Sequence, residues 1–300
     1  MADTVNPERV EEIIAKKREA IENSVQTRFY KNTLFTLIDQ MQDIEIAKYL
    51  IENQSLNGYW TSKLINKPET KDEYKNELEK WFYTECPTLV ASQERYRIFQ
   101  DLAQEYINKK APDLDCFSAL SIPCGLMDDL LELEYNSAKD YKLTGLDLDS
   151  ESLNLAKANA ETKNISEKVT LIEEDAFNIK FNNQFDLIIS NGLNIYIQDE
   201  DKHSKLFNKL AKALKPGGLL ITSFLTHPPL GSEESHWDIN GIGAENLQIQ
   251  YKIFVEILEA KWQVYKTEKE MQLMLKRHGL KAIKFFYDKY KIFPTVIAYK

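Results

Sequence analysis

The sequence is poor in the residues that build metal and disulfide sites. It has three cysteines in 300 residues, and no two of them form a CxxC pair. Its four histidines are scattered along the chain. Zinc and iron–sulfur sites need closely spaced Cys and His ligands, so the pattern predicts no bound metal.

Long apolar runs and an excess of basic charge are also missing. The N-terminal MADTVNPERVEEII has no apolar core of a signal peptide, and no run approaches the roughly 20 apolar residues of a membrane helix. The net charge is −9, whereas binding to phosphates needs clustered Lys and Arg. We therefore expect a cytoplasmic protein with no membrane partner, and nucleic acid is disfavoured as a partner. The sequence makes no prediction of the oligomeric state.

The residues that are present, 43% hydrophobic and 28% charged, are typical of a globular protein. Up to about Ala111–Asp115, apolar residues recur at spacings of three and four, which predicts helices. The first of these can be capped by Asn6, with Pro7 in its first turn. We predict a helical domain over residues 1–112 and an α/β domain over 113–300, with an insertion at 226–265.

After Asp115, short β-rich runs alternate with helical segments. Helices between the runs predict parallel strands that are covered on both faces. The last two runs are joined by too short a segment for a parallel crossover, so they should pair antiparallel. The predicted strands are Cys116–Ile122, Leu143–Leu148, Val169–Glu174, Phe185–Ser190, Leu219–Phe224, Lys281–Tyr287 and Phe293–Tyr299.

The insertion contains a segment with helical periodicity. One face of this predicted helix carries six apolar residues, Leu247, Tyr251, Phe254, Val255, Leu258 and Trp262.

Ligands of an open parallel sheet bind at the carboxyl ends of its strands, and polar groups follow four of the predicted strands. Asp147, after the second strand, can accept hydrogen bonds from both hydroxyls of a ribose. Asp175, after the third, can accept from an adenine amino group, and Phe177 can pack on the ring. Taken singly, each residue is equally typical of an ordinary turn.

Five motifs and the terminal hairpin together resemble the class I S-adenosylmethionine-dependent methyltransferases. The motifs are ALSIPCG, TGLDLD, EEDAF, FDLIISNG and LKPGG, and the resemblance extends from about Ala119 to Lys300. It implies a Rossmann-like α/β fold with a seven-stranded, mostly parallel sheet of order 3-2-1-4-5-7-6, the last strand antiparallel. Helices would cover both faces, with an N-terminal helical cap added. It implies S-adenosyl-L-methionine as the cofactor and S-adenosyl-L-homocysteine as the product.

The resemblance also implies the cofactor site. The first loop would lie against the methionine part, Asp147 would bind the ribose, and Asp175 and Ala176 would address adenine. Asn191 would lie near the reaction centre. The implied cofactor-binding residues are Ser121, Pro123, Cys124, Gly125, Asp147, Leu148, Asp175, Ala176, Phe177, Asn191 and Gly192.

The first loop departs from the family pattern, which reads acidic-x-Gly-x-Gly-x-Gly. Ser121 replaces the acid, Pro123 the first glycine and Met127 the third. The loss of the acid puts cofactor affinity in question. Asp128 or Asp129 can compensate for it, or both can simply stabilise the N-terminus of the next helix.

Transfer of an activated methyl group needs alignment and the exclusion of water, and a base only where the acceptor loses a proton. His227, just past the fifth strand, is the best-placed candidate base, although a loop histidine without a role is an open alternative. Tyr196, after the fourth strand, is the second catalytic candidate. His203 is expected on a solvated helix face.

The acceptor is predicted to be a small organic molecule methylated on O, N or C. SNGL after the fourth strand is not the Asn/Asp-Pro-Pro-Tyr of enzymes that methylate exocyclic amines or glutamine. Two alternatives stay open: a catalytically degenerate cofactor-binding or scaffold protein, and a nucleic-acid or protein methyltransferase. A nicotinamide dehydrogenase is disfavoured because GxGxxG is absent after the first strand. We expect the helical domain to cover the active site and select the acceptor.

Overall fold

The computed structural model describes residues 4–66, 74–229, 235–261 and 264–300. The chain forms two compact units. One consists of Met1–Val90 with Asp238–Trp262, and the other of Ala91–Trp237 with Gln263–Lys300. The first is helical and the second is an α/β unit.

The helical unit begins with a capped helix, as the sequence predicts. The Asn6 side chain accepts a hydrogen bond from the Arg9 N–H at 3.3 Å, and Pro7 is the first helical residue. Asn57 and Asn76 cap two later helices in the same way. The helices of this unit are α1 (Pro7–Asn23), α2 (Lys31–Met41), α3 (Glu45–Asn53), α4 (Gly58–Ile65), α5 (Glu77–Thr84), α10 (Ile239–Ile242) and α11 (Ala244–Tyr251).

The apolar face expected around residues 247–262 is partly wrong. Tyr251 and Val255 are 39% and 42% exposed, whereas Ile253 and Ile257 are buried. The reason is a π-helical turn at Lys252–Ile257, directly after α11, whose wider winding shifts the phase of the buried stripe. Trp262, assigned to the same face, lies outside the described residues.

The two units divide at places that differ from the predicted boundary at residue 112. Helix α6 (Pro87–Lys110) continues into the α/β unit, where Phe99, Ala103 and Tyr106 are buried in its core. The insertion returns to the helical unit, because Phe254 and its buried neighbours belong to that core. A regular helical period shows that a face is buried but not which core buries it.

The described residues of the α/β unit form a seven-stranded sheet of order β3-β2-β1-β4-β5-β7-β6. Strands β1 to β5 pair in parallel, and β7 is antiparallel to both β5 and β6. The predicted strands, their order and the antiparallel end are thus confirmed. The strands are β1 (Phe117–Ser121), β2 (Tyr141–Asp147), β3 (Val169–Glu173), β4 (Phe185–Ser190), β5 (Leu214–Ser223), β6 (Lys281–Phe286) and β7 (Thr295–Tyr299).

Helices α7 (Asp128–Leu131), α8 (Ser150–Thr162), α9 (Glu200–Ala213) and α12 (Glu268–Arg277) complete this unit with α6. The start of α12 is fixed by a capping box, in which Thr267 and Glu270 bond to each other's backbone N–H. Two buried apolar clusters contain residues of the central strands, and each also includes helical residues of this unit.

Candidate active site

The carboxyl ends of the central strands meet at one edge of the sheet. Ser121, the last residue of β1, pairs with Gly145 of β2 on one side and with Ile189 of β4 on the other. The Glu174 N–H donates to the Asp147 carbonyl at 3.1 Å, which joins the ends of β2 and β3. Residues that follow these strands are therefore brought together, as expected for a parallel sheet.

The first loop turns back onto Asp147. Gly125 has a φ of +49°, a left-handed conformation that favours glycine, and its N–H donates to Asp147 Oδ2 at 2.8 Å. The other oxygen, Oδ1, accepts the Asp149 N–H at 3.0 Å. Asp149 itself caps α8 by accepting from Glu151 N at 3.1 Å. The Asp147 carboxylate is thus fixed in orientation, and the helix cap is supplied by a different residue.

Gly145 is required for the loop to pack this closely, a role that sequence reasoning did not assign. A Cβ on Gly145 would lie 2.9 Å from Leu171 Cδ2 and 3.0 Å from Cys124 Sγ. The thiol of Cys124 is buried, and the Cys124 N–H bonds to the Leu146 carbonyl at 2.9 Å. The absence of a side chain in β2 therefore sets the distance between the strand and the first loop.

The ends of β2 and β3 offer both carboxylates and apolar surface. Leu148 is 66% exposed, so its side chain is open to contact from solvent. Ala176 is buried and Phe177 is half-buried. The Phe177 N–H donates to Asp175 Oδ1 at 2.8 Å, so Asp175 is held at the turn.

A buried carboxyl group, that of Asp129, lies next to Ser121 at the end of β1. The Ser121 hydroxyl donates to Asp129 Oδ2 at 2.6 Å. Asp129 is only 8% exposed, and its Oδ1 has no hydrogen-bond partner in the described chain. Burial raises the pKa of Asp129 to about 7, because the charged form loses its hydration. A buried acid with an unused oxygen therefore lies beside the residue that replaces the family's acid.

Two asparagines after β4 also carry unused buried oxygens. Asn191 Oδ1 and Asn194 Oδ1 have no partner within the described ranges. The Asn194 side chain is fixed at its other end, because Nδ2 donates to the Ser223 carbonyl at 2.6 Å. Gly192, between them, has a φ of +85°. Buried acceptors without partners are costly and point to a ligand that donates hydrogen bonds.

These groups fit S-adenosylmethionine. Its ribose hydroxyls and α-ammonium group are hydrogen-bond donors, and its sulfonium is positive. The edge offers the oriented Asp147 carboxylate and the unused oxygens of Asp129 and Asn191. Its adenine needs an apolar surface with a polar neighbour, which Leu148 and the Asp175 turn supply.

The chain is similar to methyltransferases in sequence and in fold. A family model for the methyltransferase domain matches residues 119–218. A possible exported protein from Bordetella parapertussis is 31% identical, with a TM-score of 0.89 over 97% of this chain and 95% of its own. The magnesium protoporphyrin IX methyltransferase of Synechocystis, solved with bound S-adenosylhomocysteine, is 14% identical. Its TM-score is 0.51, over 81% of this chain and 94% of its own. No curated protein matches the chain by sequence.

The matched region begins in β1 and ends in β5, so it spans the strands that build the site. Residues 119–218 belong to the methyltransferase-domain family, and the sheet has the strand order of the Rossmann-like class I S-adenosylmethionine-dependent methyltransferases, whose cofactor is S-adenosylmethionine.

The two catalytic candidates follow different strands. Tyr196 is 39% exposed and ends a short 3₁₀ turn after β4. His227 follows β5, is half-buried, and packs its ring against that of Tyr265 with 5.5 Å between centroids. Their catalytic roles stay predictions.

His203 is not solvated, contrary to expectation. It is 1% exposed, stacks on Phe207, and both ring nitrogens lack partners among the residues described. Burial lowers its pKa to about 4, so it is neutral at physiological pH. The signal was present in the sequence, because His203 is three and four residues before the buried Leu206 and Phe207 on the same face of α9.

In the described part of the chain, no group of three or more acidic, His or Cys side chains is arranged to hold a metal ion. None of the helices described is long and apolar enough to cross a membrane.

Proposed function

We propose that this methyltransferase transfers the methyl group of S-adenosylmethionine to O, N or C of a small organic molecule. One observation carries the proposal: Asn194 is 3% exposed, and its Oδ1 has no partner in the described structure. A small polar molecule that enters the interior can donate to such an oxygen. A nucleic acid must flip a base out of its stack, and a protein must insert a side chain, to reach an atom buried to this degree, whereas a free small molecule needs neither.

In this proposal the adenosine lies at the ends of β2 and β3. Asp147 accepts from the ribose hydroxyls, with the carboxylate held in place by the Gly125 N–H. Asp175 accepts from the adenine amino group, and the Ala176 N–H donates to the ring. Leu148 and Phe177 cover the faces of the ring.

The methionine end lies at the ends of β1 and β4. Asp129 takes the place of the family's acid, and its Oδ1 accepts from the α-ammonium group, while Ser121 orients the carboxylate. Pro123 and Cys124 form the wall of the loop. Asn191 and Gly192 border the reaction centre from β4.

The cofactor supplies a methyl group on a positively charged sulfur, already activated for in-line displacement. The protein must align the acceptor with this group and exclude water. Where the acceptor loses a proton, His227 or Tyr196 is the proposed base. Carboxylate and amide oxygens around the sulfur favour the positive charge until transfer.

A degenerate, non-catalytic domain is the second candidate, because the first loop keeps only one glycine of its pattern. The Ser121–Asp129 pair weighs against it, since a carboxylate is still present at the end of β1. Titration with S-adenosylhomocysteine, followed by a screen for transfer of a labelled methyl group, separates the two. A cofactor that binds without transfer to any acceptor supports the degenerate domain.

The screen should cover small alcohols, phenols, amines and carbon acids, together with bulk RNA, DNA and protein. Transfer to a small molecule supports the proposal. Transfer confined to a macromolecule overturns it.

A cytoplasmic site of action is part of the proposal. The related Bordetella protein is described as a possible exported protein, so the location needs a test of its own, and cell fractionation provides it.

Selection of the acceptor by the helices before residue 112 also stays a proposal. Deletion of residues 1–110 is a poor test, because it removes Phe99, Ala103 and Tyr106 from the core of the α/β unit. Substitutions on α1 to α5 that leave α6 intact test it without this damage. A change in acceptor KM with an unchanged Kd for S-adenosylhomocysteine is the expected result.

A further inference from the structure

Helix α6 carries a buried positive charge that the cofactor does not explain. Arg95 is 7% exposed. Burial lowers its pKa to about 10, so the guanidinium is still charged at neutral pH. Burying an unpaired charge is costly, and buried charges are normally paired with an opposite charge.

The surroundings of Arg95 leave that requirement unmet. Its NH1 donates to Ser223 Oγ at a long 3.5 Å, and its guanidinium carbon lies 4.5 Å from the centre of the Phe293 ring. Among residues 4–66, 74–229, 235–261 and 264–300, no group accepts a hydrogen bond from its Nε and no carboxylate forms an ion pair with it. The guanidinium therefore has donors to spare in a dry environment.

Asp288 is the acidic group whose charge acts on Arg95, but its oxygens already accept three backbone N–H groups. Oδ1 accepts the N–H groups of Tyr290 and Ile292 at 3.0 and 3.3 Å, and Oδ2 accepts that of Phe293 at 2.8 Å. Asp288 affects Arg95 through the electric field rather than by direct contact. Its role is to hold the turn before β7.

Asn194 and Arg95 are both anchored on Ser223. The guanidinium contacts the Ser223 hydroxyl, and the Asn194 amide donates to the Ser223 carbonyl. One residue at the end of β5 thus holds a buried donor, Arg95 Nε, and a buried acceptor, Asn194 Oδ1, neither of which has a partner in the described chain. Tyr196 lies near enough to Arg95 for an electrostatic interaction between the two side chains.

We infer that Arg95 binds a carboxylate of the methyl acceptor, and that Asn194 Oδ1 accepts a hydrogen bond from a hydroxyl or amine of the same molecule. The inference rests on the proposed function and narrows its acceptor to a small organic acid. A guanidinium offers parallel N–H donors whose geometry matches a carboxylate. Asn194 is the partner of the acceptor's second polar group, the hydroxyl or amine.

The methionine carboxylate of the cofactor is the other possible source of this anion. The position of Arg95 favours the acceptor. The cofactor's carboxylate shares a carbon with its ammonium group, which the proposed function places on Asp129, beside Ser121 at the end of β1. Ser223 ends β5, which is two strand spacings, or about 10 Å, from β1. The groups around Ser223 thus lie beyond β4, on the side of the sheet edge away from the ammonium site.

The first test uses the wild-type protein loaded with S-adenosylhomocysteine. The probes are benzoate and a set of hydroxy- and amino-substituted aliphatic and aromatic carboxylates, each compared with its primary amide. We expect at least one acid to bind, to bind about 10- to 100-fold more tightly than its amide, and to accept a labelled methyl group. The inference is overturned if none of the acids binds at tens of millimolar, or if acids and amides bind equally.

The second test uses Arg95→Met and Arg95→Lys, with Arg97→Met as the matched control, because Arg97 is exposed on the same helix. The Kd for S-adenosylhomocysteine should stay within about twofold of wild type, which also reports folding. The Kd for the acid should rise about 10- to 100-fold in Arg95→Met, less in Arg95→Lys, and not in the control.

Loss of S-adenosylhomocysteine binding in a folded Arg95→Met protein would assign the guanidinium to the cofactor and overturn the inference. Methylation of uncharged small molecules in preference to acids would do so as well, while leaving the proposed function intact. Methyl transfer to macromolecules alone would overturn both the inference about Arg95 and the proposed function.

Discussion

Replacement of Asp129 by asparagine should stabilise the ligand-free protein above neutral pH. The folded-state pKa of about 7 is higher than the ordinary value of 3.8, because the carboxyl group is buried. A raised pKa means that the stability present below about pH 4 is lost as pH rises to about 7. A pKa shift of about 3 units lowers the unfolding free energy by about 4 kcal/mol at pH 8, relative to its value in acid. Roughly 2 to 3 kcal/mol of this loss falls between pH 5 and pH 8.

Asparagine keeps an oxygen that can accept from Ser121 but does not titrate. The difference in unfolding free energy, variant minus wild type, should therefore grow from under about 1 kcal/mol at pH 4 to about 4 kcal/mol at pH 8. Urea denaturation from pH 4 to 8 measures it. Asp101→Asn is the control, since it removes the same charge from an exposed residue of α6.

In cofactor binding we expect the opposite ranking, with wild type better than the Asp129→Asn variant. The ammonium and sulfonium groups favour the ionised carboxylate, so S-adenosylhomocysteine, which retains the ammonium group, should bind wild type more tightly as pH rises through about 7. Asp129→Asn should bind it more weakly and without that dependence. Parallel stability curves for variant and wild type across pH 4–8 would show that Asp129 does not titrate as the buried geometry requires.

Three further predictions concern the remaining site residues. Alanine at both Asp147 and Asp175 should raise the Kd for S-adenosylhomocysteine by at least about 100-fold by calorimetry, since each change removes a hydrogen bond to a charged group; unchanged affinity in folded protein contradicts the adenosine site. Gly145→Ala should lower the unfolding free energy by about 1 to 3 kcal/mol in urea, because its Cβ would meet Leu171 at 2.9 Å; an unaltered midpoint contradicts the close packing. For an acceptor that loses a proton, His227→Gln should lower kcat by about 100-fold or more, with the Kd for the cofactor product unchanged; an unchanged kcat leaves Tyr196 as the proposed base.

Local patterns predicted the sheet well. Apolar runs such as FDLIIS alternate with helices, and this alternation predicts a parallel sheet, while the short link before β7 predicts its direction. The π-helical turn at Lys252–Ile257 was not predicted, because a one-residue change of phase leaves little trace in the apolar spacing. Nor could the stripe through Phe99 and Tyr106 indicate which unit buries α6.

From the sequence alone, site residues could be proposed only near the ends of strands. Asp147 is the last residue of β2 and Asp175 lies two residues after β3, so their positions in the fold could be expected. Asp129 had two open roles, and the choice depended on its burial beside Ser121, a tertiary property. Arg95 lies in the charged segment QERYR, typical of a solvated helix face, and its burial depends on contacts with Ser223 and Phe293 far along the chain.

The return of residues 238–261 to the helical unit has a consequence for biosynthesis. The Tyr30 hydroxyl bonds to Glu256 at 2.5 Å and Lys17 pairs with Glu259 at 2.5 Å, contacts that span more than two hundred residues. The N-terminal helices leave the ribosome long before these partners exist. At about 5 to 20 residues per second, the wait is on the order of 10 to 50 seconds. During that time the apolar faces of α1 and α2 lack part of their core, so chaperones have their best opportunity to bind the nascent chain there.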